Sequence, residues 1–216
     1  RFLAMELVSG TPVTQATRRL SIARRLAVFE SVCRTVGVVH RAGVVHGDLK
    51  PSNVFVTRTG AVKLLDFGAA VDVEARTPDA PRRLTPEFAA PEQVLGDPVT
   101  PATDVYALGL MLHEMLCGRR RRLPWSLCGG RETVISDIPT GVVDGRWEGL
   151  AADPAATRPS QLLSQKRARL DWRIRQLIEV TLSTDPEGRP AEAVALAEAT
   201  ADLRASLGSS RLDLAP

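Results

Sequence analysis

Apolar positions recur every three or four residues at Ile22, Leu26, Phe29, Cys33, Val36 and His40. That period predicts an amphipathic helix. Ser21 is placed to cap its start, and Gly43 to end it in the left-handed conformation that glycine adopts freely. Upstream, F-L-A-M-E-L-V at 2–8 reads as the end of a strand turned by Ser9-Gly10, and Pro12 to Arg19 as a short helix or loop. Downstream, Val44-Val45-His46 reads as a short extended piece. Val54-Phe55-Val56 and Val62-Lys63-Leu64-Leu65 flank a turn containing Gly60 and predict a small hairpin, with Asn53 and Asp66 at its open ends.

The second half is dominated by helices. Thr100-Pro101 has the form of an N-cap followed by a first-turn proline, and Gly118 that of a terminator. Val105, Leu108, Leu110, Met111, Leu112, Met115 and Leu116 between them leave little polar face. A helix apolar nearly all round is buried inside a domain, so residues 101–117 are expected to form the structural axle. Asp171 to Thr184 predicts a further helix with Ile174, Leu177, Ile178 and Leu182 on one face, broken by Asp185-Pro186. Pro190 is expected to open a last helix through Leu196, Ala199 and Leu203. The stretch from Gly68 to Leu84 has little periodicity and reads as a mobile surface loop, and 119–169 as loops with one or two short helices. The expected class is mainly α, with small β-hairpins.

Composition narrows the function classes. The 216 residues are 44% hydrophobic, enough for one substantial core. Twenty-eight basic residues nearly balance 25 acidic ones, and lysine occurs only at Lys50, Lys63 and Lys166. An arginine bias with little net charge points to no nucleic-acid partner. Cys33, Cys117 and Cys128 form neither an even set nor a C-x-x-C pair, which argues against a disulfide framework or zinc ribbon and fits a reducing compartment. No apolar run approaches the roughly 20 residues of a membrane-spanning helix. The start, Arg1-Phe2-Leu3, has no signal-peptide pattern.

The chemistry concentrates between His46 and Gly68, which read H-G-D-L-K-P-S-N, an apolar strand, then L-L-D-F-G. Phosphoryl transfer needs an oriented hydroxyl, an offset for the moving phosphate's charge, and oxygen ligands for a divalent metal. Asp48 can accept the hydroxyl proton, Lys50 can reach the phosphate, and Asn53 offers an amide oxygen. Asp66, returned by the hairpin, offers a charged ligand. Gly68 permits backbone angles that a larger residue resists.

These motifs, with L-T-P-E-F-A-A-P-E at 84–92 and D-V-Y-A-L-G at 104–109, resemble the C-terminal lobe of eukaryotic-type Ser/Thr protein kinases, as found in bacteria, in order and in spacing. The resemblance implies ATP and Mg2+ (or Mn2+) as cofactors and protein as substrate. It implies Asp48 as catalytic base, Lys50 as the phosphate-side lysine, Thr85 as the docking-loop threonine bonded to both, and Asn53 and Asp66 as metal ligands. Glu92 resembles the glutamate paired with a buried arginine, here Arg189, and Asp104 the residue that accepts backbone hydrogen bonds from the catalytic loop. Met5-Glu6-Leu7-Val8 resembles the hinge between lobes. Met5 would be gatekeeper, the Glu6 carbonyl and Val8 amide would meet the adenine edge, and Phe55 would lie beneath the ring. His46 resembles the histidine that packs on the D-F-G phenylalanine, Phe67.

By the same resemblance residues 1–12 would be a hinge remnant, 13–208 the lobe and 209–216 a tail, and the protein cytoplasmic. Two departures stand out. Gly47 occupies the position where many members carry an arginine that receives a phosphorylated loop residue; Thr77 is the single Ser or Thr between Gly68 and Leu84. The glycine-rich loop, strand lysine and helix glutamate of the family's N-terminal lobe are missing, so that lobe would be a partner supplied by the rest of the same protein. The chain alone is then expected to bind ATP weakly and transfer phosphate negligibly. Two other readings stay open: a small-molecule phosphotransferase of the aminoglycoside type, suggested by H-G-D, and a non-catalytic kinase-like interaction module. The remaining features read as structural. His40 and His113 are core or boundary positions, Arg119–Arg122 a solvated run, and Trp125 and Trp147 packing residues.

Overall fold

In a computed structural model of the chain, residues 6–72, 85–118 and 170–209 are described, together with two short strands between the last two segments. The order is β1 (Gly10–Pro12), α1 (Val13–Thr17), α2 (Ile22–Arg41), β2 (Val44–Val45), β3 (Val54–Thr57), β4 (Val62–Leu64), β5 (Val71–Asp72), α3 (Pro91–Leu95) and α4 (Pro101–Cys117). There follow β6 (Val142–Val143), β7 (Arg146–Trp147), α5 (Trp172–Thr181) and α6 (Ala193–Ser209). The described residues are mostly helical, as their periodicity predicts. Thr77, Met5, Cys128, Trp125 and the Arg119–Arg122 run lie outside them, as does the side chain of Trp147.

Helix α4 is the axle. Thirteen of its 17 residues are buried, so neighbours surround it instead of lining one face. Thr100 sits at the N-cap with Pro101 after it, and the Thr100 N–H donates back to Thr103 Oγ1 at 3.0 Å. Gly118 closes the helix at φ 84°. α2 packs along α6 and reaches α4, while α5 lies against α4. Two of these contacts need glycine. A Cβ on Gly37 of α2 would collide with Val194 Cγ2 of α6; one on Gly109 of α4 would collide with Thr181 Oγ1 and lie 2.7 Å from Thr181 Cβ in α5.

On α2, Leu26, Phe29, Cys33, Val36 and His40 are buried, but Ile22 is 43% exposed. The apolar period sets a face, yet it does not say how far along that face a neighbour extends. Burial pushes the Cys33 thiol well above its usual range, which makes it a small apolar core residue. Helix α5 begins at Asp171, whose carboxylate accepts from the Arg173 backbone N–H at 2.9 Å and from its guanidinium at 3.0 Å. The Arg173 side-chain hydrogen bond holds the Asp171 carboxyl below its ordinary range. The cap is therefore present above the unfolded carboxylate range and is lost as pH falls through the lowered folded value.

Three expectations need correction. Among residues 6–12, strand structure begins at Gly10 and not before it. Gly10 does not turn the strand but pairs within it opposite Thr57, where a Cβ would lie 2.8 Å from Val56 O. The last helix starts at Ala193 and not at Pro190, because Arg189 is extended and its side chain is drawn inward. The helix does run through Leu196, Ala199 and Leu203, its buried stripe being Ala193, Leu196, Ala197, Thr200 and Leu203.

β1, β3 and β4 form an antiparallel sheet in the order β1-β3-β4. β2 pairs with β5, Val45 opposite Val71. The first sheet carries the segments holding Asn53 and Asp66; the second ties the start of the 46–50 loop to the chain beyond Gly68. Gly109→Ala is expected to destabilise the fold by about 1–3 kcal/mol through overpacking against Thr181. Urea denaturation checks this, and an unchanged midpoint would show that α4 and α5 do not meet as described.

Candidate active site

Asp104 lies in the first turn of α4 with its side chain 1% exposed. Its Oδ2 accepts the His46 N–H at 2.8 Å and its Oδ1 the Gly47 N–H at 3.0 Å. Oδ2 also meets His40 Nε2 at 2.9 Å. His40 Nδ1 accepts the Ala193 N–H at 3.4 Å, so Nε2 is the nitrogen that donates to Asp104. A buried carboxylate is tolerable here because three donors satisfy it and a helix N-terminus favours negative charge. The arrangement fixes the first half of the 46–50 loop to α2, α4 and α6 at once.

The loop then presents Asp48. Its Oδ1 accepts the Thr85 N–H at 2.9 Å and its Oδ2 the Lys50 ammonium at 2.7 Å, while Lys50 Nζ also donates to Thr85 Oγ1 at 2.7 Å. The three residues form a closed triangle with the carboxylate partly open to solvent. Asn53 follows in a single 3-10 turn, Pro51–Asn53. Its Nδ2 donates to Asp48 O at 3.0 Å, and Oδ1 meets no donor among the described residues.

Asp66 is placed by its neighbour. The Leu65 N–H donates to Asn53 O at 2.8 Å, and His46 Nε2 donates to Leu65 O at 3.1 Å. The direction of the second bond follows from the Asp48 N–H, which donates to His46 Nδ1 at 3.3 Å. Both peptide groups of Leu65 are thus held by the 46–53 segment. Asp66 is the one non-glycine residue with positive φ, 61°, among the described residues. Such a conformation costs about 1–3 kcal/mol and persists where surrounding bonds over-determine it. Its Oδ1 accepts the Gly68 N–H at 3.3 Å. Phe67 packs on His46 with ring centroids 4.8 Å apart.

The structure therefore brings Asp48, Lys50, Thr85, Asn53 and the Asp66 segment together through direct bonds. It does not join Glu6, Val8 or Phe55 to them by any hydrogen bond. Glu6 and Val8 have no regular structure, and the exposed Glu6 carboxylate pairs with Lys63 at 3.2 Å. Phe55, half-buried on β3, stands in register between Pro12 and Lys63. Reading by motif missed two residues. His40 reads from the sequence as a core or boundary position, although it orients Asp104. Gln93 went unremarked, although its Oε1 accepts the Ala90 N–H at 3.0 Å and its Nε2 donates to Gly47 O at 2.7 Å. The readable signal for Gln93 was its place three residues after an N-cap, where Glu or Gln closes a capping box.

Comparison with models of protein families matches residues 1–200 to the protein kinase domain. The chain belongs to the protein kinase family. It is 34% identical over 209 residues to Serine/threonine-protein kinase PknA of Mycobacterium tuberculosis, covering 94% of this chain and 43% of that protein. It is 31% identical over 209 residues to Serine/threonine-protein kinases drp72 of Corynebacterium efficiens, covering 94% and 35%. A 126-residue stretch is 37% identical to Serine/threonine-protein kinase Pkn1 of Myxococcus xanthus, covering 55% and 18%. The chain thus spans less than half the length of these curated relatives.

In this chain the segment that carries Thr85 is anchored by an ion pair. Both Glu92 oxygens meet Arg189, at 2.7 and 2.8 Å. The guanidinium also donates to Ala102 O, Ser183 O and Thr184 O, which uses all five of its donors, and it lies 4.9 Å from the centroid of the Tyr106 ring. The pair is buried, so removing one partner strands the other charge. Glu92→Ala is expected to cost about 3–5 kcal/mol in urea denaturation. A loss no larger than a surface pair gives would contradict this account.

Proposed function

We propose that this chain is the larger, mostly helical lobe of a Ser/Thr protein kinase catalytic domain, transferring the γ-phosphoryl of ATP to serine or threonine in protein substrates. The observation that carries the reading is the Asp48–Lys50–Thr85 triangle. It joins a carboxylate, a cation and the segment before the Glu92 anchor at a single point. Asp48 accepts the proton of the substrate hydroxyl, oriented by the Thr85 N–H on one oxygen and Lys50 on the other. Lys50 faces the transferred phosphoryl and offsets its charge. Thr85 couples the peptide-docking segment to both, so that a seated substrate and an oriented base come together.

The donor set suits a hard divalent cation. Asn53 Oδ1 has no partner among the described residues, its amide being oriented by the bond from Nδ2 to Asp48 O, and Asp66 adds a solvent-exposed carboxylate. Two oxygen donors are what Mg2+ or Mn2+ takes when it also binds phosphates. Asn53 and Asp66 would hold such an ion, which would offset phosphate charge during transfer. On the nucleotide side, the Glu6 carbonyl and Val8 amide meet the adenine edge, and Phe55 lies beneath the ring. The thiol of Cys33, buried in the core, suits a reducing compartment.

Gly47 offers no cation for a phosphorylated loop residue, so the docking segment is held by the bonds of Thr85 to Asp48 and Lys50 and by the Glu92–Arg189 ion pair. The same segment disfavours a small-molecule phosphotransferase, because Thr85 bonds both catalytic residues from a stretch that a small substrate would not need. These 216 residues include no glycine-rich phosphate loop and no V-A-I-K-type strand lysine, so the chain alone holds ATP phosphates poorly.

In a whole kinase domain containing these residues, Asp48→Asn is expected to lower phosphoryl transfer to protein by roughly 10²–10⁴-fold with ATP affinity nearly unchanged. Radiolabel transfer and nucleotide titration check this. Substantial activity in Asp48→Asn, or transfer to an aminoglycoside but to no protein, would overturn the assignment.

A further inference from the structure

Gly47 precedes the proposed base and adopts φ 74°. Glycine has no Cβ to restrict it, so local sterics do not decide how the chain enters Asp48. Two side chains from outside the loop decide it. Asp104 takes the Gly47 N–H at 3.0 Å and so fixes the peptide plane before this residue. Gln93 donates to the Gly47 carbonyl at 2.7 Å and fixes the plane after it, the one that leads into Asp48. The amide orientation is unambiguous, because the Ala90 N–H can only donate, so the Gln93 atom facing it is Oε1.

Gln93 is half-buried and borders, with Gly47, Asp48, Thr85 and Asp104, a closely packed recess beside the loop. Its backbone neighbour Glu92 is pinned by Arg189. The Gly47 carbonyl is thereby tied to the segment that the buried Glu92–Arg189 ion pair anchors.

We infer that Gln93 is a positioning residue for phosphoryl transfer: by holding the Gly47 carbonyl, it sets the direction in which Asp48 meets the substrate hydroxyl. The inference rests on the kinase reading above. It separates two jobs of one side chain. The Oε1 bond to Ala90 caps a helix and serves stability; the Nε2 bond to Gly47 serves the base.

Gln93→Glu keeps the cap acceptor and removes the donor, whereas Gln93→Lys keeps a donor and removes the cap. In the whole kinase domain, Gln93→Glu is expected to remain folded with KM for ATP unchanged while kcat falls roughly tenfold, the scale of one unsatisfied buried acceptor. Gln93→Lys is expected to lose stability yet keep kcat within about threefold, the scale of a retained donor. Hydrogen exchange at the 46–50 amides should rise in Gln93→Glu and not in Gln93→Lys. Native kcat in Gln93→Glu, or an equal loss of kcat in both variants, would overturn the inference. Should Gln93→Glu fail to fold, Gln93→Met read against Gln93→Lys decides in the same way. Exchange reports on the loop whether or not phosphate is transferred. A wild type without transfer therefore refutes the kinase reading, and unchanged loop exchange in Gln93→Glu refutes the role of Gln93.

Discussion

The buried carboxylate of Asp104 is the constraint on which the site depends. It receives two successive backbone N–H groups, those of His46 and Gly47, and a third donor from His40. A loop bearing a glycine and a run of polar residues has little hydrophobic reason to hold one shape. Two charge-assisted bonds to a residue inside the most buried helix supply that reason, each contributing on the order of 1.5–3 kcal/mol. Because α4 is packed on all sides, Asp104 cannot shift to follow the loop; the loop takes its position from Asp104. His40 adds the link to α6 through the Ala193 N–H, so three helices that meet for packing reasons also determine where Asp48 stands.

From that anchor the site is completed by bonds between segments far apart in sequence. Leu65 carries Asp66 to the loop because both of its peptide groups are captured, by Asn53 and by His46. Thr85 is brought to Asp48 and Lys50 by a segment whose other end is fixed through Glu92 and Arg189. The glycines at 37 and 109 let the helices approach closely enough for these bonds to close. Fold and site are therefore coupled at a few polar contacts, each able to fail separately from the apolar core.

The parts of this arrangement legible in the sequence are those that local rules govern. The Thr100-Pro101 start and Gly118 end of α4 follow from caps, and the hairpin follows from alternation around Gly60. Asp48, Lys50, Asn53 and Asp66 stood out because phosphoryl transfer needs those groups and the spacing matches a known family. What was not legible depends on partners distant in sequence. Nothing local distinguishes His40 from any other residue on the inward face of α2, since its role comes from Asp104, 64 positions later. Pro190 has the form of a helix start, but Arg189 is extended and drawn toward Glu92, and the helix begins only at Ala193. Gly10 looked like a turn, yet its lack of a Cβ serves a close approach to Val56 in a paired strand. The positive φ of Asp66 likewise cannot be read from a single acidic residue.

The measurement that tests this account most directly is the rate of phosphoryl transfer at saturating ATP by Asp104→Asn in the whole kinase domain. Asparagine keeps the size but turns an amide nitrogen toward one of the three donors, so at least one loop bond is lost. The account predicts a folded protein whose transfer rate is at least about tenfold lower, the effect of losing one charge-assisted bond. A folded Asp104→Asn variant transferring phosphate at the native rate would contradict it.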